Sequence, residues 1–520
     1  MTGAHLGAAR LGGVAALAAL TLGVGLGGSS RLTYHEAFVA QAAREMIASG
    51  DPLTPTLGGR PWLEKPPLAV WLVVLAGRAA GGVGESAARL PSAVAAALLA
   101  VGVARLAARR FGTPAGLLAG LVQATTAWTV TRGRLAEADM LLACLITWTI
   151  VAFDRLRTPA GGSDGPRGGR WAFFALLGLT ALAKGIGFGA VLVLSVVALV
   201  VAWDRDRGTL ARLRFWPGWA LAGVLGLAWP TLAALRHPSA LGLWATHVTD
   251  RLAARPTQFT GEPWSEYAPA LALMLLPWAP LAAVGAWRTL PRAFGSRGRG
   301  GCDRLLWAWA VGPLLLLSLA TVKQAHYAIH ALPPCSVWAA FGLLRLGERL
   351  QASRGWSPVR VRRTTWGAFG VLGLAYALGF ALLGPRLDRR GVEWAFYQDA
   401  ARRLRPGEPV ALLYHVPEWD RLPYETPFGP VPHDWAVRLF YLHNHPAPCL
   451  FGLDELPTGP APFAVIGRES DLPGLSRLGR VETLAQGPPV RSDRTYRLYR
   501  VTPATGPDPV AARPGRLNRR

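Results

Sequence analysis

Apolar residues run in long unbroken blocks separated by short basic or polar segments, not in the alternating patterns of soluble helices and strands. Blocks long enough to cross hydrocarbon, or nearly so, lie near 11–29, 89–108, 114–133, 138–156, 171–183, 185–203, 216–234, 266–287, 305–322, 325–344 and 365–384. At ~20 residues per crossing they predict an all-α polytopic membrane domain of about eleven transmembrane helices, over residues 1–384. The first block reads as a retained helix, because Leu26, Gly27, Gly28, Ser29 and Ser30 match a cleavage site poorly. Residues 67–82 are short and follow Pro66-Pro67, which predicts a helix lying along the membrane surface.

Basic residues test the count, because one misassigned span would invert every later loop. With a cytoplasmic N-terminus, the inner loops hold the Arg109-Arg110 pair, the arginines of 155–170, 205–214 and 288–304, and those of 349–363. The outer segments are then 30–88, the turns at 134–139, Lys184 and Lys323-Gln324, the loop 235–265, and everything after 385. Beyond 385, short runs such as Pro409–Tyr414, Phe463–Ile466 and Thr495–Val501, with a possible helix at Asp434–Asn444, predict a small extracytoplasmic α/β domain over 385–501. Residues 502–520, rich in Pro, Gly and Arg, read as a disordered tail.

Composition supports the bilayer as solvent: 51% of the 520 residues are apolar and 21 are Trp. In a soluble chain the net charge of +24 would suggest nucleic acid; here it lies in loops between apolar blocks and reads as topology, so no nucleic-acid partner is expected. The four cysteines show neither metal spacing nor a disulfide framework.

Only three of the 55 basic residues are lysines, Lys65, Lys184 and Lys323, and the topology puts all three at the outer interface. Lys is a compact point charge that suits phosphate, whereas Arg is a planar fork. Three ammonium groups at one depth fit a lipid-linked phosphate; snorkelling at helix ends is the plainer alternative. Asp139, at the outer end of a span, is a functional candidate by its cost there, with pairing to Arg134 as the alternative.

The first outer loop carries the sharpest pattern: Tyr34-His35-Glu36, Ala43-Arg44-Glu45-Met46, Asp51-Pro52-Leu53-Thr54-Pro55, Gly58-Gly59-Arg60, Glu64-Lys65-Pro66-Pro67 and Ala88-Arg89-Leu90-Pro91-Ser92. It resembles the polyprenyl-phosphate-sugar glycosyltransferases that include the lipid A aminoarabinose transferase and the protein O-mannosyltransferases, a GT-C fold. Weaker matches continue through Arg134–Asp139, Ala183-Lys184-Gly185, His247 with Arg251, Pro277-Trp278 and Lys323–Tyr327.

The resemblance implies sugar transfer from a polyprenyl-phosphate donor to an extracytoplasmic acceptor at the inner membrane, among membrane lipids. It implies catalytic roles for His35, Glu36 and Asp139, and donor contacts by Lys65, Arg89, Lys184, Lys323, Tyr327 and Arg44. Glu64 and His247 correspond to positions where a divalent, zinc-like metal can sit; no nucleotide cofactor is expected. One departure matters. The family's leading acidic residue falls on His35, which leaves open whether His35 or Glu36 is the base or whether His35 only caps a helix. A transporter or flippase would also show many spans, but two long polar outer loops and no paired Gly/Pro-interrupted spans stand against it.

Overall fold

The computed structural model describes residues 6–158, 167–185, 187–252, 265, 267–295, 300–319, 323–388, 390–414, 426–429, 431–432, 434–443, 445–489 and 495–504; the side chains of 167–168, 247–248, 250–252, 300, 390 and 392 are outside that description. Contacts divide the chain into two units, Met1–Asp388 with Pro423–Val437, and Arg389–Leu422 with Arg438–Arg520.

The first unit is helical and built for lipid. Among the described residues four helices are long and apolar enough to cross a membrane: Glu85–Phe111, Trp216–Arg236, Ala325–Arg354 and Pro358–Leu387. A fifth arises if Tyr267–Met274 and Ala279–Phe294 count as one span, bent by 119°. This is a multi-pass membrane protein. Further helices occupy Ala8–Gly23, Ala138–Arg157, Arg167–Ala183, Phe188–Asp204 and Gly300–Ser318. Large apolar side chains such as Trp216, Leu235, Trp287, Val371 and Leu387 stay exposed, which water would penalise and acyl chains would not.

Two blocks expected as single spans are broken. The 114–133 block stops at Thr125 and restarts at Ala127, where Thr126 is extended and the Ala127 N–H donates to the Leu276 carbonyl. The 266–287 block turns at Pro277, which lacks the N–H that would continue a helix. The block at 67–82 is a helix over Leu68–Ala79, 12 residues and too short to cross.

Small residues let the helices approach closely, as they must where lipid provides no hydrophobic drive between them. A Cβ on Gly285 would lie 1.9 Å from the Trp338 carbonyl oxygen, and one on Gly342 would lie 2.3 Å from that of Leu281, so Ala279–Phe294 and Leu332–Arg354 touch backbone to backbone. Polar side chains buried among the helix ends are paired: Asp154 meets Arg109 and Arg110, and Asp204 meets Arg157 at 3.2 Å and Arg304 at 2.8 Å.

The second unit holds a five-stranded mixed sheet in the order Cys449–Leu450, Val410–Leu413, Phe463–Arg468, Thr495–Pro503, Gly479–Pro489. The first three strands run parallel to one another, and Thr495–Pro503 runs antiparallel to both of its neighbours. Leu413, Phe463, Val465, Leu475, Tyr499 and Val501 form its core. The strand Gly479–Pro489 escaped the sequence reading because it contains Gly487, Pro488 and Pro489; it lies at the sheet edge, where a missing N–H is tolerated. Thr502 and Pro503, expected in the disordered tail, continue the strand from Thr495, while 505–520 lie outside the described residues.

Candidate active site

The first outer loop is an ordered platform. Its helix Tyr34–Ser49 starts in a capping box: the Glu36 N–H donates to Thr33 Oγ1 at 3.3 Å and the Thr33 N–H donates to Glu36 Oε2 at 2.9 Å. Glu36 is wholly buried and pairs with Arg89, whose Nε lies 2.7 Å from Oε1. Arg89 also donates to the Leu26 and Ser30 carbonyls at 3.0 and 2.9 Å, and the Ala136 N–H reaches Glu36 Oε1 at 3.1 Å. Thus Glu36 and Arg89 bind the first helix, the first loop and the 134–137 turn to one another.

Further along, Glu45 accepts from Thr56 Oγ1, Gly58 N and Gly59 N at 2.7, 2.7 and 3.0 Å, holding a hairpin turn in which both glycines have positive φ. Trp62 stacks on Phe38 with centroids 5.6 Å apart, and Trp244 Nε1 donates to the Leu63 carbonyl at 2.7 Å. These contacts fix the chain immediately before Glu64 and Lys65. A cleft of about 290 Å³, open to solvent, lies between this turn and residues 426–435, lined among others by Arg60, Trp62, Glu64, Leu243, Phe428 and Trp435. Burial raises the Glu64 pKa to about 7, with the Lys65 charge and Trp62 opposing; the indole N–H itself is outside hydrogen-bond geometry.

Asp139 stands at the start of the Ala138–Arg157 helix, ion-paired with Lys184 and 3.4 Å from Arg132 Nη2. Arg132 also pairs with Glu137 and lies over the Trp128 ring. The Lys184 ammonium sits 5.0 Å from the centre of the Tyr327 ring, and Tyr327 faces Phe188 at 5.8 Å. His35 belongs electrostatically to this group: burial first, then the cations Lys65, Arg132 and Lys184, lower its pKa to about 3, with Asp139 opposing. Part of His35 remains exposed.

The structure therefore brings His35, Lys65, Asp139, Lys184 and Tyr327 together. Glu36 and Arg89 stand behind them, closed on each other. Arg44 donates to the Val83 carbonyl at 3.0 Å, apart from the cluster, and Lys323 lies partly exposed just ahead of the 3₁₀ turn Ala325–Ala331. Arg134, named as the alternative partner of Asp139, instead donates to the Thr21 and Leu22 carbonyls and covers the Phe380 ring. Sequence reasoning missed Arg132, Glu137 and His330; Arg132 stands just before the recognised segment Arg134–Asp139, Glu137 lies within it, and His330 gave no signal within an apolar block.

Among the described residues no three His, Cys, Asp or Glu side chains converge on a metal position. The expected Glu64–His247 pair lies outside the described residues, since the His247 side chain is one of those left out.

Residues 64–233 match the family described as dolichyl-phosphate-mannose-protein mannosyltransferase. The undecaprenyl phosphate-alpha-4-amino-4-deoxy-L-arabinose arabinosyl transferase of Edwardsiella ictaluri is 30% identical over 365 residues, 66% of this chain and 64% of the relative. That of Aeromonas salmonicida is 28% identical over 361 residues, 66% of this chain and 61% of the relative. The matches thus span less than two thirds of these relatives' length. In fold, the chain resembles ArnT from Cupriavidus metallidurans bound to undecaprenyl phosphate, with TM-score 0.73 and 19% identity over 94% of this chain and 97% of that one. It also resembles the archaeal oligosaccharyltransferase AglB from Archaeoglobus fulgidus in complex with an inhibitory peptide and a dolichol-phosphate, with TM-score 0.55 and 14% identity over 87% and 65%.

Proposed function

We propose that this chain, which shares the sequence pattern and GT-C fold of the aminoarabinose and protein O-mannosyl transferases, transfers a sugar from a polyprenyl-phosphate carrier to an extracytoplasmic acceptor. The observation that carries this reading is the convergence of Lys65, Lys184 and Arg132 on His35, Asp139 and Tyr327 at the ends of apolar helices. Fixed cations at a membrane boundary suit a phosphate whose tail stays in the bilayer. We further read about eleven spans, an outer-facing site, and an extracytoplasmic unit after residue 388.

In this reading Lys65 and Lys184 hold the donor phosphate, Lys323 approaches it from the 3₁₀ turn, and Glu36 with Arg89 position the loop. An acceptor hydroxyl attacks C1 of the sugar, the C1–O bond to phosphate breaks, and the carrier phosphate leaves against the cations. The hydroxyl proton goes to His35. Burial first and then the three cations lower the pKa of His35 and make it a weak base; a donor phosphate would offset the field of the cations and raise its basicity. Glu64 and His247 are the residues that would hold a metal, but two protein ligands fall short of the three or four zinc normally takes, so no step depends on it.

Replacing Lys65 by Met keeps the apolar stem and removes the charge. Transfer in membranes supplied with polyprenyl-phosphate sugar should fall by at least tenfold, from the loss of ~1.5–3 kcal/mol for a charge-assisted contact. Lys65→Arg should recover only part of it. Near-normal transfer by Lys65→Met would remove this residue, and with it the lysine argument, from the mechanism.

A further inference from the structure

His330 is among the most enclosed polar side chains of the first unit, 1% exposed, and among the described residues neither ring nitrogen has a hydrogen-bond partner. A buried imidazole without partners is disfavoured by roughly 1–3 kcal/mol per orphaned group, so such a residue calls for a polar neighbour that comes and goes. Its charged surroundings are those of the site: Asp139, Lys184 and His326 all act on it.

Position along the chain narrows what that neighbour is. His330 follows Tyr327 by three residues in the 3₁₀ turn Ala325–Ala331, and residues i and i+3 of such a turn eclipse one another at ~6 Å. The Phe188 ring confirms the shared edge, facing Tyr327 at 5.8 Å and His330 at 6.4 Å. Tyr327 in turn covers the Lys184 ammonium. A donor phosphate on Lys184 would therefore carry its sugar near the edge that His330 shares with Tyr327. A neutral imidazole offers one N–H donor and one lone-pair acceptor. That matches a hydroxyl, which both donates and accepts, and does not match a second phosphate oxygen, which only accepts.

We propose that His330 reads a hydroxyl of the donor sugar and so helps to set which sugar is transferred. This rests on the donor reading above. A water held permanently by the imidazole would satisfy the same atoms, and the experiment separates the two.

The full chain, purified in detergent, is titrated with undecaprenyl phosphate and with undecaprenyl phosphate-α-4-amino-4-deoxy-L-arabinose, following affinity and thermal midpoint for the wild type, His330→Leu and His330→Gln. The expected result is that all three bind the bare carrier equally, that the sugar strengthens binding to the wild type, and that His330→Leu loses roughly fivefold of that gain. His330→Gln, which keeps a donor and an acceptor, should retain most of it. Without ligand, His330→Leu should melt no lower than the wild type, because it removes orphaned polar atoms. If the sugar adds nothing to wild-type binding, or if His330→Leu keeps the full gain, the assignment is overturned. Failure of the wild type to bind the bare carrier would instead sink the donor reading itself.

Discussion

Replacing Arg89 by Met distinguishes a structural lock from a substrate contact, because the structure makes a definite claim about what the guanidinium does. It is 1% exposed, holds the fully buried Glu36, and donates to the Leu26 and Ser30 carbonyls. Met removes the charge and all these donors while filling much of the space. Among the described residues Glu36 then keeps the Thr33 and Ala136 N–H groups, and an uncompensated buried carboxylate costs about 3–5 kcal/mol. At ~2 °C per kcal/mol, the figure for larger domains, the thermal midpoint should fall by about 6–10 °C. The double variant Glu36→Gln/Arg89→Met removes the stranded charge and should recover about half of that loss. The assay is thermal unfolding of detergent-purified protein at one fixed scan rate, since membrane proteins of this size unfold irreversibly, with sugar transfer measured on the same samples. If Arg89→Met melts within ~1 °C of the wild type yet no longer transfers sugar, the lock is wrong and Arg89 acts on substrate.

The Glu64 carboxyl supplies a pH test. Its folded pKa is raised to about 7 from 4.5, so the folded protein retains a proton that the unfolded chain releases, and its contribution to stability falls as pH rises from 4.5 to 7. Glu64→Gln should therefore stabilise at pH 8 by at most about 3 kcal/mol and leave stability at pH 4 unchanged; equal effects at both pH values in urea melts would contradict the burial argument. The orientation reading is tested by fusing alkaline phosphatase after Ala400, which should give an active enzyme; a well-expressed but inactive fusion would refute it.

The helical membrane class and the segments of the candidate site were legible in the amino-acid pattern alone. Runs of apolar residues leave lipid as the only solvent, and the loop from Tyr34 to Pro67 carries enough Gly, Pro and charge at fixed spacing to be read locally. It also placed Lys65, Asp139, Lys184 and Tyr327 at run ends, where charge is tolerated. Their partners were not legible there, because each pairing depends on how distant helices pack. Glu36 and Arg89, which the resemblance implies as a catalytic and a donor-contact residue, are paired with each other across 53 positions, and no local pattern announces that pairing. Arg134 and Arg132 are two residues apart and chemically alike, yet one caps carbonyls of the first helix and the other reaches Asp139, a choice made by the break at Thr126 and the turn that follows. His330 was invisible in an apolar run because nothing local tells a packed imidazole from one facing a site; that depends on which helices bring Asp139 and Lys184 beside it.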